Sequence, residues 1–160
     1  MARLLSGSRE DRRGYRFAGV PGVRLGRSPY LRLLLDTHIW LWSLLEPEKL
    51  SPEVAFELES PGNELWLSPI TLWEVFLLAE KGRVVLHGPT DLWIAKALEV
   101  APFREAPLTH EVAIQSRKID LPHQDPADRF LVATALVYEL TFVTSDEKIL
   151  GAKPVPLLAS

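Results

Sequence analysis

Leu31-Arg32-Leu33-Leu34-Leu35-Asp36-Thr37-His38-Ile39-Trp40-Leu41-Trp42 is a leucine run that stops at an acid and passes at once into a second apolar segment. A short continuous apolar run reads as a strand buried on both faces, and Trp40, Leu41, Leu44 and Leu45 beyond it read as a helix. The same grammar recurs downstream. Leu65-Trp66-Leu67 is a second short strand, and Ser68-Pro69 starts a helix with a capping hydroxyl before a proline at the first helical position. Lys81-Gly82 ends that helix. Between the two units, Ser51-Pro52 opens a helix over Pro52 to Glu59, and Pro61-Gly62 stops it.

The rest of the chain continues the alternation. Arg83 to Leu86 reads as a short extended piece, and Thr90-Asp91 opens a helix through Trp93, Ile94, Ala97 and Leu98. Thr109 to Lys118 is another helix, and Asp125-Pro126 caps a strongly apolar one from Ala127 to Tyr138. Thr141-Phe142-Val143-Thr144 has the β-branched and aromatic character of a strand. Ser145-Asp146 then opens a turn or short helix. Val155 to Leu158 is a last strand, placed at an edge because Pro156 has no N–H to donate to a ladder. Strands alternating with helices call for parallel pairing through right-handed crossovers, hence an α/β sandwich.

Composition narrows the chemistry. The 160 residues are 47% hydrophobic, enough for the core of one domain. Acids interrupt every apolar stretch before it is long enough to span a bilayer, and the first residues lack the apolar core of a secretory signal. With no cysteine and four scattered histidines (His38, His87, His110, His123), disulfides, thiolate sites and zinc patterns are excluded. Any metal must be a hard one bound through oxygen, and a cysteine-free chain fits the cytoplasm. The net charge of -3 conceals an asymmetry: residues 1–32 carry eight arginines against Glu10 and Asp11, whereas the remainder is strongly acidic. Residues 1–30 are read as a basic, flexible extension and 31–160 as the domain.

In open α/β sheets the working residues gather beyond the carboxyl ends of the strands. Asp36 follows its strand directly and Asp146 follows the strand that ends at Thr144, and each has a plainer reading as the N-cap of the next helix, with Ser145 an equal candidate for the second cap. Glu74 lies in mid-helix with Ile70, Leu77 and Leu78 on its own face, where a carboxylate is costly unless paired or bound to metal. Asp128 stands three residues after Asp125, which also matches a capping box; Asp125 itself is read as the cap. Carboxylates brought to one cleft repel each other and need a cation to stay ionised together. Magnesium and manganese, with their preference for oxygen ligands, suit such a set.

As a group, Leu33-Leu34-Leu35-Asp36-Thr37-His38-Ile39-Trp40-Leu41-Trp42, Ser68-Pro69-Ile70-Thr71-Leu72-Trp73-Glu74, Asp125-Pro126-Ala127-Asp128-Arg129-Phe130 with Ala133-Thr134-Ala135, and Thr141-Phe142-Val143-Thr144-Ser145-Asp146 resemble the successive motifs of PIN domains, in order and spacing. The likeness runs from about Leu31 to Leu158 and is closest to the VapC-type toxins of bacterial toxin-antitoxin pairs. The resemblance implies a three-layer α/β sandwich with a central, mostly parallel sheet. It also implies an Mg2+- or Mn2+-dependent endoribonuclease whose acids are Asp36, Glu74, Asp128 and Asp146. Asp128, seven residues before Ala135, matches the family's third acid better than Asp125, and Asp146 occupies the position that varies most. Thr37 and Ser145 are candidates for positioning water or phosphate, with Arg129 and Lys148 beside the acids as contacts to substrate. Further implied are an RNA substrate, a cognate antitoxin and a homodimer, with no membrane. The basic extension is the departure from the family pattern.

Two other families place an acid after a first strand. A haloacid-dehalogenase phosphatase wants a second aspartate two residues on, where this chain has His38, and a receiver domain wants an acidic pair where this chain has Asp36-Thr37. A catalytically silent PIN-fold binding module is the stronger alternative, and the intact acids weigh against it. Trp66 and Trp73 read as core residues rather than base-stacking platforms. Lys81, Arg83, Arg117, Lys118, Arg129 and Lys148 are candidates for a basic rim that offsets the acidic domain. If the substrate grip lies in the domain, a chain shortened to begin at Tyr30 retains most RNA cleavage in a gel assay. Loss of cleavage would place the grip in the basic segment.

Overall fold

β1 (Arg32–Leu35) is the middle of the sheet because its leucines have two faces to bury: Leu33 and Leu35 point to one layer and Leu34 to the other, none more than 1% exposed. The computed structural model describes residues 29–122 and 124–160; residues 1–28 of the expected extension, and His123, lie outside the described residues. After β1 come α1 (Thr37–Leu45), a single 3-10 turn at Pro47–Lys49, α2 (Pro52–Glu59), β2 (Glu64–Leu67), α3 (Pro69–Glu80) and α4 (Thr90–Glu99). The chain continues with β3 (Arg104–Glu105), α5 (His110–Lys118), α6 (Pro126–Tyr138), β4 (Thr141–Thr144), α7 (Glu147–Ala152) and β5 (Leu157–Ala159). The five strands stand in the order β3-β2-β1-β4-β5, and every pairing is parallel.

Two cores follow from the two faces. Leu33, Leu35 and Val143 pack with Ile39, Trp40 and Leu41 of α1, Val54 of α2, Val75 of α3 and Ile94 of α4. Leu34 and Phe142 pack with Leu131, Val132 and Ala135 of α6 and Ile149 of α7. The result is the expected three-layer sandwich, with the sheet parallel throughout. The start signals act as the local chemistry requires. Ser51 Oγ accepts from Val54 N at 3.2 Å, Ser68 Oγ from Ile70 N at 3.2 Å and Asp125 Oδ1 from Ala127 N at 2.9 Å.

Several expectations need correction. Arg83 to Leu86 is irregular rather than extended: Gly82 takes a φ of +64°, and Arg83 N and Val84 N both turn back to Leu78 O, closing α3. β3 was not foreseen, because two exposed charged residues leave no period to read; it exists by pairing with Trp66 and Leu67. The last strand spans Leu157–Ala159 rather than starting at Val155, and it is an edge strand as expected. Trp73 is no core residue, being 52% exposed on the outer face of α3. Leu41 is buried in α1.

Because Leu34 is sealed between Trp66 and Phe142 in register and is fully buried, Leu34→Ala removes packing in the middle of the sheet. It should cost about 2–5 kcal/mol in urea unfolding. A cost within experimental error of zero would mean that this core does not hold the sheet.

Candidate metal and nuclease site

The strand order reverses at β1, with β2 on one side and β4 on the other, so a crevice opens beyond the carboxyl ends of these three strands. Asp36 lies there, directly after Leu35, and is only 8% exposed. Its main-chain N–H continues the ladder to Val143 O at 3.0 Å. Its carboxylate is held at both oxygens: Thr37 N donates to Oδ1 at 2.7 Å and Thr144 Oγ1 to Oδ2 at 2.6 Å. Asp36 is thus the N-cap of α1, its plainer reading, and remains a candidate site residue. Burial pushes its carboxyl above the usual range, more than offsetting the downward pull of the Thr144 hydroxyl, the nearby His38 charge and the Thr37 amide; the negative field of Asp146 adds to the rise.

Glu74 projects from the middle of α3 and is half-buried. Thr37 Oγ1 donates to its Oε1 at 2.7 Å, so one threonine ties the first acid, through its amide, to the helical acid, through its hydroxyl. Burial pushes the Glu74 carboxyl up to about 7 despite that bond, and the charges of Asp36, Asp128 and Asp125 push in the same direction. Asp128 is half-buried in the first turn of α6. Asp146 caps α7, its Oδ1 accepting from Lys148 N at 2.8 Å and Ile149 N at 3.1 Å. The plainer reading of Asp146 as a cap therefore holds, with Asp146 rather than Ser145 as the cap. Residues far apart in sequence thus share one negative field: Asp128 and Asp36 act on Glu74, and Asp146 acts on Asp36.

Among the described residues, no group of three or more potential ligands converges to cradle an ion as the side chains stand. The donors are carboxylate oxygens in a chain without cysteine, a set that suits a hard divalent ion and not a thiophilic one.

The other predicted residues divide by accessibility. Ser145 is half-buried between β4 and α7, and Lys148 is exposed in the first turn of α7. Thr37 is fully buried with its hydroxyl engaged by Glu74, so it orients an acid rather than facing a substrate. Arg129 is corrected more sharply. It is buried, with Nε donating to Ser116 O at 2.7 Å and Nη2 to Ile119 O at 2.6 Å, so it serves the carbonyls at the end of α5 and is not part of an exposed rim. Thr144 is the residue that sequence reasoning missed. The available signal was a hydroxyl at the carboxyl end of a strand, two residues before an acid.

The raised Glu74 value carries a stability signature. The folded state holds this proton more tightly than the unfolded chain, so the favourable contribution is complete below the ordinary value of 4.5 and is lost as pH rises through about 7. In EDTA, Glu74→Gln keeps an acceptor for Thr37 and removes the charge. Its melting temperature should match that of the parent near about pH 4 and exceed it by several degrees near about pH 8. Equal melting temperatures at both pH values in calorimetry would refute the crowding of this carboxylate.

The PIN domain family model matches residues 33–153, from β1 through α7. Ribonuclease VapC22 of Mycobacterium tuberculosis (strain ATCC 25618 / H37Rv) is 32% identical over 120 residues, covering 73% of this chain and 88% of that protein. Among solved structures, FitAcB from Neisseria gonorrhoeae is similar with a TM-score of 0.54 at 27% identity, over 79% of this chain and 96% of that one. A toxin-antitoxin complex from Klebsiella pneumoniae holds a chain with a TM-score of 0.53 at 22% identity, over 77% of this chain and 94% of that one, a likeness of fold. A family match over most of the domain, joined to a relative nearly a third identical over most of its own length, settles the assignment: the chain belongs to the PIN domain family, on its VapC-type branch.

Proposed function

We propose that this VapC-type chain is an endoribonuclease that hydrolyses RNA phosphodiester bonds with Mg2+ or Mn2+ held by Asp36, Glu74, Asp128 and Asp146, and that it acts as the toxin of a toxin-antitoxin pair. The observation that carries this reading is the buried Asp36 sharing a field and a threonine with Glu74 at the sheet's switch point. A divalent ion bound there supplies the charge that neutralises the phosphate and lowers the pKa of an attacking water. Hydrolysis forms a bond from the water oxygen to phosphorus and breaks the bond from phosphorus to a ribose oxygen. Thr37 and Thr144 hold the acids in place through this exchange, and Ser145 and Lys148, on either side of Asp146 in sequence, are the candidate contacts to phosphate. The related protein from Mycobacterium tuberculosis is named a ribonuclease, which supports the substrate class.

Partners follow from surface and likeness together. Trp73 and Phe76 expose apolar surface on the outer face of α3, which favours a homodimer. The fold neighbour from Klebsiella pneumoniae is a toxin-antitoxin complex, which supports a cognate antitoxin here. Among the described residues no helix is long and apolar enough to cross a membrane; with the lack of cysteine, this favours a cytoplasmic setting.

The test is cleavage of a transfer RNA and messenger RNA panel by the purified full chain with Mg2+, Mn2+ or EDTA. Asp36→Asn and Asp128→Asn should each lower cleavage by about 10³-fold or more while leaving the circular dichroism spectrum unchanged. Glu74→Gln should be nearly as severe and Asp146→Asn the mildest. Full activity of both Asp36→Asn and Asp128→Asn, or undiminished activity in EDTA, would overturn the proposal and favour a silent binding module.

A further inference from the structure

Thr144 ends β4 and is fully buried, a position where a hydroxyl is costly unless both its donor and its acceptor sides are used. Both are used. Oγ1 donates to Asp36 Oδ2 at 2.6 Å and accepts from Asp146 N at 3.1 Å. The first bond crosses from β4 to its parallel neighbour β1, and the second reaches forward into the turn that carries Asp146. A single hydroxyl therefore touches the side chain of one acid and the main chain of another.

The consequence is geometric. Thr37 N already holds Asp36 Oδ1, so the Thr144 bond fixes the plane of that carboxylate at its second oxygen and leaves further lone pairs on each oxygen for another partner. On the other side, Asp146 is clamped between the Thr144 hydroxyl at its own N–H and the first amides of α7 at its side chain. The offset between Asp36 and Asp146 thus passes through one atom of Thr144.

We infer that Thr144 is a positioning residue that sets the mutual placement of Asp36 and Asp146 for binding a divalent cation. This rests on the reading of the acids as metal ligands, and it assigns Thr144 no contact with substrate. The rival role is purely structural: filling a buried site at the sheet edge of the crevice.

Two substitutions separate the roles. Thr144→Val keeps the shape and removes the hydroxyl; Thr144→Ser keeps the hydroxyl and removes a buried methyl. Mn2+ alone is titrated into the full chain by calorimetry, and melting temperatures are recorded in EDTA. Thr144→Val should weaken Mn2+ binding by about 10–100-fold, the usual effect of losing a group that orients a ligand. Thr144→Ser should bind within about threefold of the parent even where its melting temperature is lower, so that affinity follows the hydroxyl and not stability. If Thr144→Val does not fold, Thr144→Ala, which introduces no clash, carries the same expectation. Parent-like Mn2+ affinity in the valine or alanine variant would overturn the inference, as would an equal loss in the serine variant. Asp36→Asn serves as the control. If the parent binds Mn2+ and Asp36→Asn does not, the metal reading stands whatever Thr144 shows. If the parent binds none, the metal reading and this inference fall together.

Discussion

The structure depends on burying a carboxylate where a hydrophobic strand ends. Asp36 cannot leave the end of β1 without dragging the central strand out of register, and it cannot stay there unless its oxygens are served. The chain answers with short-range donors: the next residue's amide and a hydroxyl from the neighbouring strand. Around that answer the rest is arranged. The hydroxyl of Thr37 brings α3 and Glu74 to the crevice, and the Thr144 hydroxyl brings in the turn after β4. Burial raises the carboxyls of Asp36 and Glu74 above their usual range, and the neighbouring acids add to the rise.

Much of this was readable from sequence because short-range rules govern it. Ser51, Ser68 and Asp125 announce helix starts through side-chain chemistry that acts within three residues, and the structure places all three as caps. The leucine run from Leu33 to Leu35 identifies a strand buried on both sides, since nothing polar interrupts either face. What stayed hidden is long-range. β3 consists of Arg104 and Glu105 and is a strand only because β2 lies beside it. Thr144 looked like a β-branched strand residue, and its role depends on a partner 108 positions earlier. Arg129 next to Asp128 suggested a contact with phosphate, but helix geometry turns neighbouring side chains about 100° apart, and Arg129 points into the α5–α6 junction.

The removal of Arg129 from the surface also alters how an acidic domain could approach a polyanion. Among the described residues, Lys148 in the first turn of α7 and Arg117 and Lys118 at the end of α5 are exposed. The family assignment comes from the family-model match and the related ribonuclease, not from a basic surface. At the other end of the sheet, Arg32 and Arg104 both lie over the Trp66 ring and both pair with Glu64, while Tyr138 at the end of α6 stacks on the same ring.

The pairing of β1 with β4 also governs when the domain becomes competent. Leu34 and Phe142 are register partners across 108 residues, and closing so long a loop is slow compared with forming the local helices between them. Until β4 docks, Asp36 lacks the Thr144 hydroxyl, and Asp146 is nowhere near it. A nascent or partly folded chain thus carries these acids without bringing them together. Slow topology thus postpones the gathering of these carboxylates until folding is nearly complete.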